Sequence, residues 1–344
     1  MPAKTFEVVW LLAAFCFLFS CTYNTNKAAG PGLDAMRTEK SESGALRVVN
    51  TVALEGIPSA SGMVVYGGVI YIVSDDSPWL YRLDQAYRPL PPVQLFSTSY
   101  FGSGRIPKHL KADLESLALL TINNQPHLLA LGSGSAAARE MGYLINIQQK
   151  QPQVTPISLR GLYAAVGKKT GAAPGLELNI EGVTATADSV YLLQRGVVNQ
   201  PNKLLALPLP EFVDVLNGKA ATGLPMRVTE LPMPAIKGIT GGFSGLTFFD
   251  EKLFVTASVE NTDNAILDGE VLGSFAGYFK PGLNKILLLP IATAGREILP
   301  VKVESIAVLQ KTNSHYKALV VTDNDLGQSD LLELEISINN ELKK

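Results

Sequence analysis

From residue 46 onward the chain alternates short apolar runs with clusters of Gly, Pro, Asn, Asp and Ser. The runs are rich in Val, Ile, Leu, Tyr and Phe and are short for helices, so they predict strands joined by tight turns. Residues 63–66 and 69–74 flank Gly67-Gly68, a two-residue hairpin turn. Asp75-Asp76-Ser77-Pro78 then makes a loop, 79–83 a third strand and 92–96 a fourth. The same order returns along the chain. Second strands are expected at 127–131, 189–194, 252–257 and 317–322, and third strands at 142–147, 203–207, 284–289 and 331–336. Fourth strands are expected at 153–159, 226–231 and 296–301, and 209–217 reads as a short helix inside an insertion.

Each unit opens on a related heptapeptide: SASGMVV (59–65), DLESLAL (113–119), NIEGVTA (179–185), GFSGLTF (242–248) and KVESIAV (302–308). Aligned on Ser61, Glu115, Glu181, Ser244 and Glu304, they are spaced by 54, 66, 63 and 60 residues. A recurrence of this size marks a repeat architecture. The last unit lacks a fourth strand, and an unpaired strand at 46–54 precedes the first. If that strand completes the last sheet, a ring closes and no long edge is left open. The expected fold is all-β: a β-propeller of four-stranded blades closed by an N-terminal strand and filling residues 45–344. Five blades are the simplest count; insertions in the third and fourth units leave room for a sixth.

The first strand of a propeller blade lines the central channel, so the five aligned residues should ring one channel mouth. Glu115, Glu181 and Glu304 would repel one another there unless a cation, a basic neighbour or raised pKa values intervened. Oxygen ligands with little His suit Ca²⁺ or Mg²⁺. The equal alternative is that each Glu caps the next blade or pairs with Lys or Arg. A second set follows the second strands: Asp75, Asp76, the segment Gly132-Ser133-Gly134-Ser135 with Arg139 behind it, Arg195, Glu260, Asn261 and Asp323-Asn324-Asp325. Loop charges on a rigid scaffold are a common way to carry function. Candidate ligand contacts are thus Ser61, Asp75, Asp76, Arg139, Arg195, Ser244 and Glu260; candidate metal ligands are Glu115, Glu181, Glu304 and Asp323. Arg139 and Arg195 suit either the glutamates or an acidic ligand. His109, between Lys108 and Lys111, is a candidate acid or base. Asp323-Asn324-Asp325-Leu326-Gly327 and the stretch 263–269 lack the full ligand run of a calcium loop. Gly242-Phe243-Ser244-Gly245 is not a nucleophile elbow, because Leu246 stands where that motif needs Gly.

The composition narrows the partners. Net charge is −2 over 344 residues, with no basic excess for nucleic acid. Both cysteines, Cys16 and Cys21, precede the repeats, so the folded body has neither disulfides nor thiol chemistry. Residues 8–19 form an apolar stretch of signal-peptide length, too short to span a bilayer. It ends in Leu18-Phe19-Ser20-Cys21, which resembles a bacterial lipobox. That resemblance implies a signal peptide over 1–20, lipidation of Cys21, and a polar tether over 21–44. The expected address is the bacterial cell envelope, with Thr22 after the cysteine permitting outer-membrane delivery. The expected partners are the membrane through its lipid anchor, and a small anionic or carbohydrate ligand or an envelope protein. The domain is expected to be a monomer.

DLESLAL, NIEGVTA and KVESIAV, with VTDNDLGQSDLLEL closing the last unit and a lipobox before the first, resemble the phytase-like β-propeller group of bacterial proteins. That group is also named for an esterase-like activity of phytase. The chain is similar as well to a set of uncharacterised bacterial lipoproteins. The likeness covers about residues 46–338. It implies a calcium-assisted phosphoester or ester hydrolase, against which stands a binding module with an acidic channel mouth.

Overall fold

The structure is a computed structural model and describes residues 44–149, 151–172, 178–196, 200–261, 269–283, 285–293, 297–339 and 342. The signal segment, Cys21, nearly all of the tether and most of the acidic stretch 263–269 lie outside the described residues. Among the described residues no helix is long and apolar enough to cross a membrane.

Five antiparallel four-stranded sheets form the five blades of a propeller. Blade 1 consists of Ala60–Tyr66, Val69–Ser74, Trp79–Leu83 and Pro89–Gln94. Blade 2 consists of Leu114–Ile122, Gln125–Gly132, Met141–Asn146 and Gln153–Ser158. Blade 3 consists of Ile180–Ala185, Ser189–Gln194, Lys203–Pro208 and Arg227–Glu230. Blade 4 consists of Gly242–Phe249, Lys252–Asn261, Glu270–Phe279 and Ile286–Pro290. Blade 5 joins Lys302–Thr312, His315–Asp323 and Asp330–Ile338 to the N-terminal strand Gly44–Ala53. Leu46 there stands opposite Ile336, and Arg47 forms an ion pair with Glu335 at 2.5 Å.

The second strand of each blade explains the apolar runs. Ile70 and Ile72 face blade 5, whereas Tyr71 and Val73 face blade 2. Leu128 and Ala130 pack towards blade 1, and Leu129 and Leu131 towards blade 3. A strand covered on both faces needs apolar side chains at every position, and the period of two disappears from its sequence. The core is accordingly divided into clusters that each span one interface between neighbouring blades, around the whole ring.

Blade 4 departs from expectation. Its third strand is Glu270–Phe279, and residues expected as the third strand supply the fourth, Ile286–Pro290. The expected fourth strand at 296–301 reduces to an isolated bridge between Ala292 and Ile298. The sequence EVLGSFAGYF hides a strand because its small residues give no apolar run. A Cβ on Gly277 would collide with the carbonyl of Leu287 on the adjoining strand, so glycine is what lets the two approach.

The insertions do not build a sixth blade. One is a helix, Arg160–Thr170, whose Leu162, Tyr163 and Val166 cover the blade 2–blade 3 interface. The expected helix is present as Leu209–Leu216 and adds Phe212 to the same cluster. A small hairpin, Ala235–Ile236 with Ile239–Thr240, precedes blade 4.

Candidate functional site

The recurrent heptapeptide has a backbone cause. In every blade the pairing of first and second strands slips by one residue, between Ala60 and Gly62, Leu114 and Ser116, Ile180 and Gly182, Phe243 and Gly245, and Val303 and Ser305. The skipped residues are Ser61, Glu115, Glu181, Ser244 and Glu304, the aligned set. Each is the extra residue of a β-bulge, a device that re-aims a side chain. The residue after each bulge is Gly or Ser because the next blade crowds it. A Cβ on Gly62 would stand 2.8 Å from Leu117 N, one on Gly182 2.9 Å from Leu246 Cβ, and one on Gly245 2.7 Å from Ser305 Cα.

The bulges open on a cavity of about 1130 Å³ at the channel mouth, and nine carboxylates and six cationic side chains line it. Ser61 lines it as well, and Glu115, Glu181 and Glu304 are among the charged residues, as are Asp75, Asp76, Arg139, Arg195, Glu260 and Asp323. Ser244 is not a lining residue; it is fully buried and donates to Thr256 Oγ1 at 3.1 Å. The Ser61 hydroxyl donates to the Leu114 carbonyl of blade 2, so this ring position caps its neighbour. His109 is exposed and does not line the cavity.

A second ring lies two residues before each bulge: Ser59, Asp113, Asn179, Gly242 and Lys302, all of them lining the cavity. Asp113 is the best held carboxylate of the site. Arg139 Nη1 donates to it at 2.8 Å, Lys111 Nζ stands 2.9 Å away, and the Ser133 hydroxyl donates to it. Burial opposes its ionisation, but Lys111 and Arg139 outweigh that and hold the carboxyl below its usual range. Its φ of 55° is left-handed, a conformation Asp tolerates better than most residues. Asn179 Nδ2 donates to Glu181 Oε1 at 2.6 Å. Gly242 leaves room for Arg195, whose side chain a Cβ there would strike. Lys302 reaches Glu304 at 3.2 Å and Asp325 at 3.0 Å.

Most of the remaining charges are paired too. Arg195 Nη2 donates to Glu260 Oε1 at 2.6 Å, and its Nη1 lies 3.9 Å from Glu181. Arg105 binds Asp76, and Lys111 bridges Asp75 and Asp113. Two carboxylates differ. Glu115 has neither a hydrogen bond nor an ion pair among the described residues; burial, reinforced by Asp113, Glu181 and Asp75, pushes its carboxyl well above the usual range. Among the described residues Asp323 accepts only the Asp325 backbone N–H, at 3.0 Å. Burial and the nearby Asp75 raise it to about 7. A third acceptor, Asp75 Oδ1, is buried with no partner among the described residues.

Of the four carboxylates expected to hold a metal, Glu115 alone joins a cluster among the described residues, and its companions there are Asp75 and Asp113. Oxygens of Asp75, Asp113 and Glu115 lie within 4.8 Å of one another, whereas Glu181 is held by Asn179 and Arg195 and Glu304 by Lys302. The trio already has a cation, the Lys111 ammonium on Asp75 and Asp113. A calcium ion fits there only by displacing it. Asp113, Asn179 and Lys302 were legible in principle, since they occupy one register position of the aligned heptapeptides.

No curated protein matches the chain. Among solved structures it is similar to an arabinanase of Bacillus subtilis, at 10% identity over 83% of this chain and 96% of that one, with a TM-score of 0.37. An arabinoxylan arabinofuranohydrolase of the same organism matches at 10% identity over 80% of this chain and 62% of that one, TM-score 0.44. A protein of unknown function from Dyadobacter fermentans matches at 9% identity over 85% and 99%, TM-score 0.38. A family model matches residues 56–336, from just after the closing strand to the last strand of blade 5, and the chain therefore belongs to that family of unknown function, DUF6929.

Proposed function

We propose that this propeller is a binding module of the bacterial cell envelope, tethered through lipidated Cys21, whose cavity takes a small hydroxyl-rich ligand of the carbohydrate class. The state of the lining charges carries the reading. Arg105, Lys111, Arg139, Arg195 and Lys302 are each engaged by acceptors of the protein. An anionic ligand would have to break those pairs. Glu115, Asp323 and Asp75 Oδ1 instead offer acceptors to donors, and hydroxyl groups supply donors without bringing a second charge. Pockets that orient a ligand do so with a few such polar groups.

The reading is tested by thermal shift and calorimetry with neutral mono- and oligosaccharides beside their phosphorylated counterparts. Neutral sugars are expected to stabilise the protein, and Glu115→Ala with Asp323→Ala to weaken that effect about tenfold. Stabilisation by the phosphorylated compounds alone would overturn it. Cys21→Ala is expected to release the protein from the membrane fraction; retention would refute the lipid tether.

A calcium-assisted phosphoester or ester hydrolase of phytase-like type is the second reading, favoured by the closeness of Asp75, Asp113 and Glu115. It requires calcium to raise the melting temperature at millimolar concentration, and no shift would remove it.

A further inference from the structure

The connection from blade 1 to blade 2 runs across the channel face without helix or strand, unlike the two connections that follow it, which carry the helix Arg160–Thr170 and the 235–240 hairpin. After Leu95, whose N donates to the Pro78 carbonyl at 2.9 Å, and Phe96, which stacks on Tyr143, the hydrogen bonds of residues 97–104 stay within the loop among the described residues. Tyr100 N donates to Thr98 Oγ1 at 3.1 Å, Gly104 N to the Phe101 carbonyl at 3.0 Å, and Ser103 Oγ to the Arg105 carbonyl at 3.0 Å. The next fastening to the scaffold comes at Arg105 and Ile106. Arg105 Nε donates to Asp76 Oδ2, Nη2 to Ser59 Oγ at 3.3 Å, and Nη1 to the Asp325 carbonyl of blade 5 at 3.3 Å. Ile106 N donates to the Asp76 carbonyl at 2.7 Å.

The receiving side is shaped for this contact. Asp76 is buried, and Gly327 leaves the space Arg105 occupies: a Cβ there would stand 2.7 Å from Arg105 Cδ. The arginine side chain itself remains 41% exposed. A half-exposed cation thus ties a self-contained loop to two blades over the cavity that Arg105, Ile106 and Pro107 line. Gly104, in the left-handed region at φ 84°, sits next to the tie as a natural hinge. Loops with few scaffold contacts open at low free energy, and one latch then sets the open population.

We propose that residues 97–106 are a lid over the blade 1–blade 5 side of the channel mouth, held shut by Arg105 seated on Asp76 and the 325–327 loop. The lid deepens the cavity-binding reading, but its test needs no ligand. In the full chain with Cys16 and Cys21 changed to Ser, Ser61→Cys places one thiol in the cavity, and its labelling by 5,5′-dithiobis(2-nitrobenzoate) reports access. Arg105→Ala should speed labelling about tenfold and Arg105→Lys less, because a point charge replaces the guanidinium fork. Chymotrypsin should cut after Tyr100 or Phe101 faster in the same variants. Ala130→Cys, fully buried between blades 1 and 2, is the control. If Arg105→Ala does not fold, Arg105→Gln keeps the stem and removes the charge, with the same outcome expected. Unchanged Ser61→Cys labelling would overturn the lid, as would equal acceleration at Ala130→Cys, which would mean general loosening. Neither result would touch sugar binding, and a ligand that never binds would leave the labelling rates as predicted.

Discussion

Replacing Lys111 by Met removes one ammonium and leaves Asp75, Asp113 and Glu115 crowded together. Lys111 is 8% exposed, it touches Asp75 and Asp113, and the Glu115 charge acts on it as well. Breaking a buried pair by removing one partner costs about 3–5 kcal/mol, because the other charge stays buried without compensation. For a domain of about 300 residues, with about 2 cal/mol/K of unfolding entropy per residue, that is a fall in Tm of about 5–8 °C at pH 7. The pH dependence gives the sharper test. Carboxyls deprived of the ammonium have folded pKa values raised above their unfolded values near 4. The stability tied to their protonation is therefore complete below about pH 4 and lost as pH rises towards 7. Differential scanning calorimetry of both proteins between pH 4 and 8 should show a gap that widens with pH. A gap under 2 °C at pH 7, or one equally large at pH 4, would refute the assignment of Lys111 as the counter-ion of the trio. Millimolar calcium should narrow the gap, since the variant leaves the ammonium's place to a cation.

Glu115→Gln should raise Tm at pH 7, since the folded pKa is raised and the wild-type carboxyl loses stability as pH climbs from about 4; melts that coincide from pH 4 to 8 would show that the carboxyl is not desolvated. Gly245→Ala should lower stability by about 1–3 kcal/mol in urea titration, because its Cβ meets the backbone of blade 5; a neutral result would mean that the bulge tolerates a side chain. Deleting residues 44–53 should leave Asp330–Ile338 with an open edge and yield aggregating protein in size-exclusion chromatography; a monomeric, cooperatively melting product would show that closure is dispensable.

The blades were legible because strands buried on both faces keep unbroken apolar runs, as at 189–194 and 317–322. Blade 4 was misjudged where that signal fails: the strand Glu270–Phe279 is built on Gly273, Ser274, Ala276 and Gly277, which pack closely but have little hydrophobicity. The ring at Ser61, Glu115, Glu181, Ser244 and Glu304 was visible as a recurrence, but its cause was not. A bulge is a fault of register between two strands, and one strand's residues do not show it. The partners were hidden for a different reason. Lys111 and Arg105 come from a connection outside the repeat, and no alignment of the repeats can bring them to the site.

The shared blade also governs when the fold can be finished. Leu46 waits for Ile336, about 290 residues later, which at a synthesis rate of about 5–20 residues per second is roughly 15–60 s. Throughout that interval the emerging chain carries an unmatched strand while later blades stack behind it. Arg47 and Asn50, which end up bound to Glu335 and Glu333, are then free to keep that strand hydrated. The ring thus behaves as a clasp whose two halves are made first and last. A ribosome stalled anywhere before residue 330 would release not a smaller propeller but an open one.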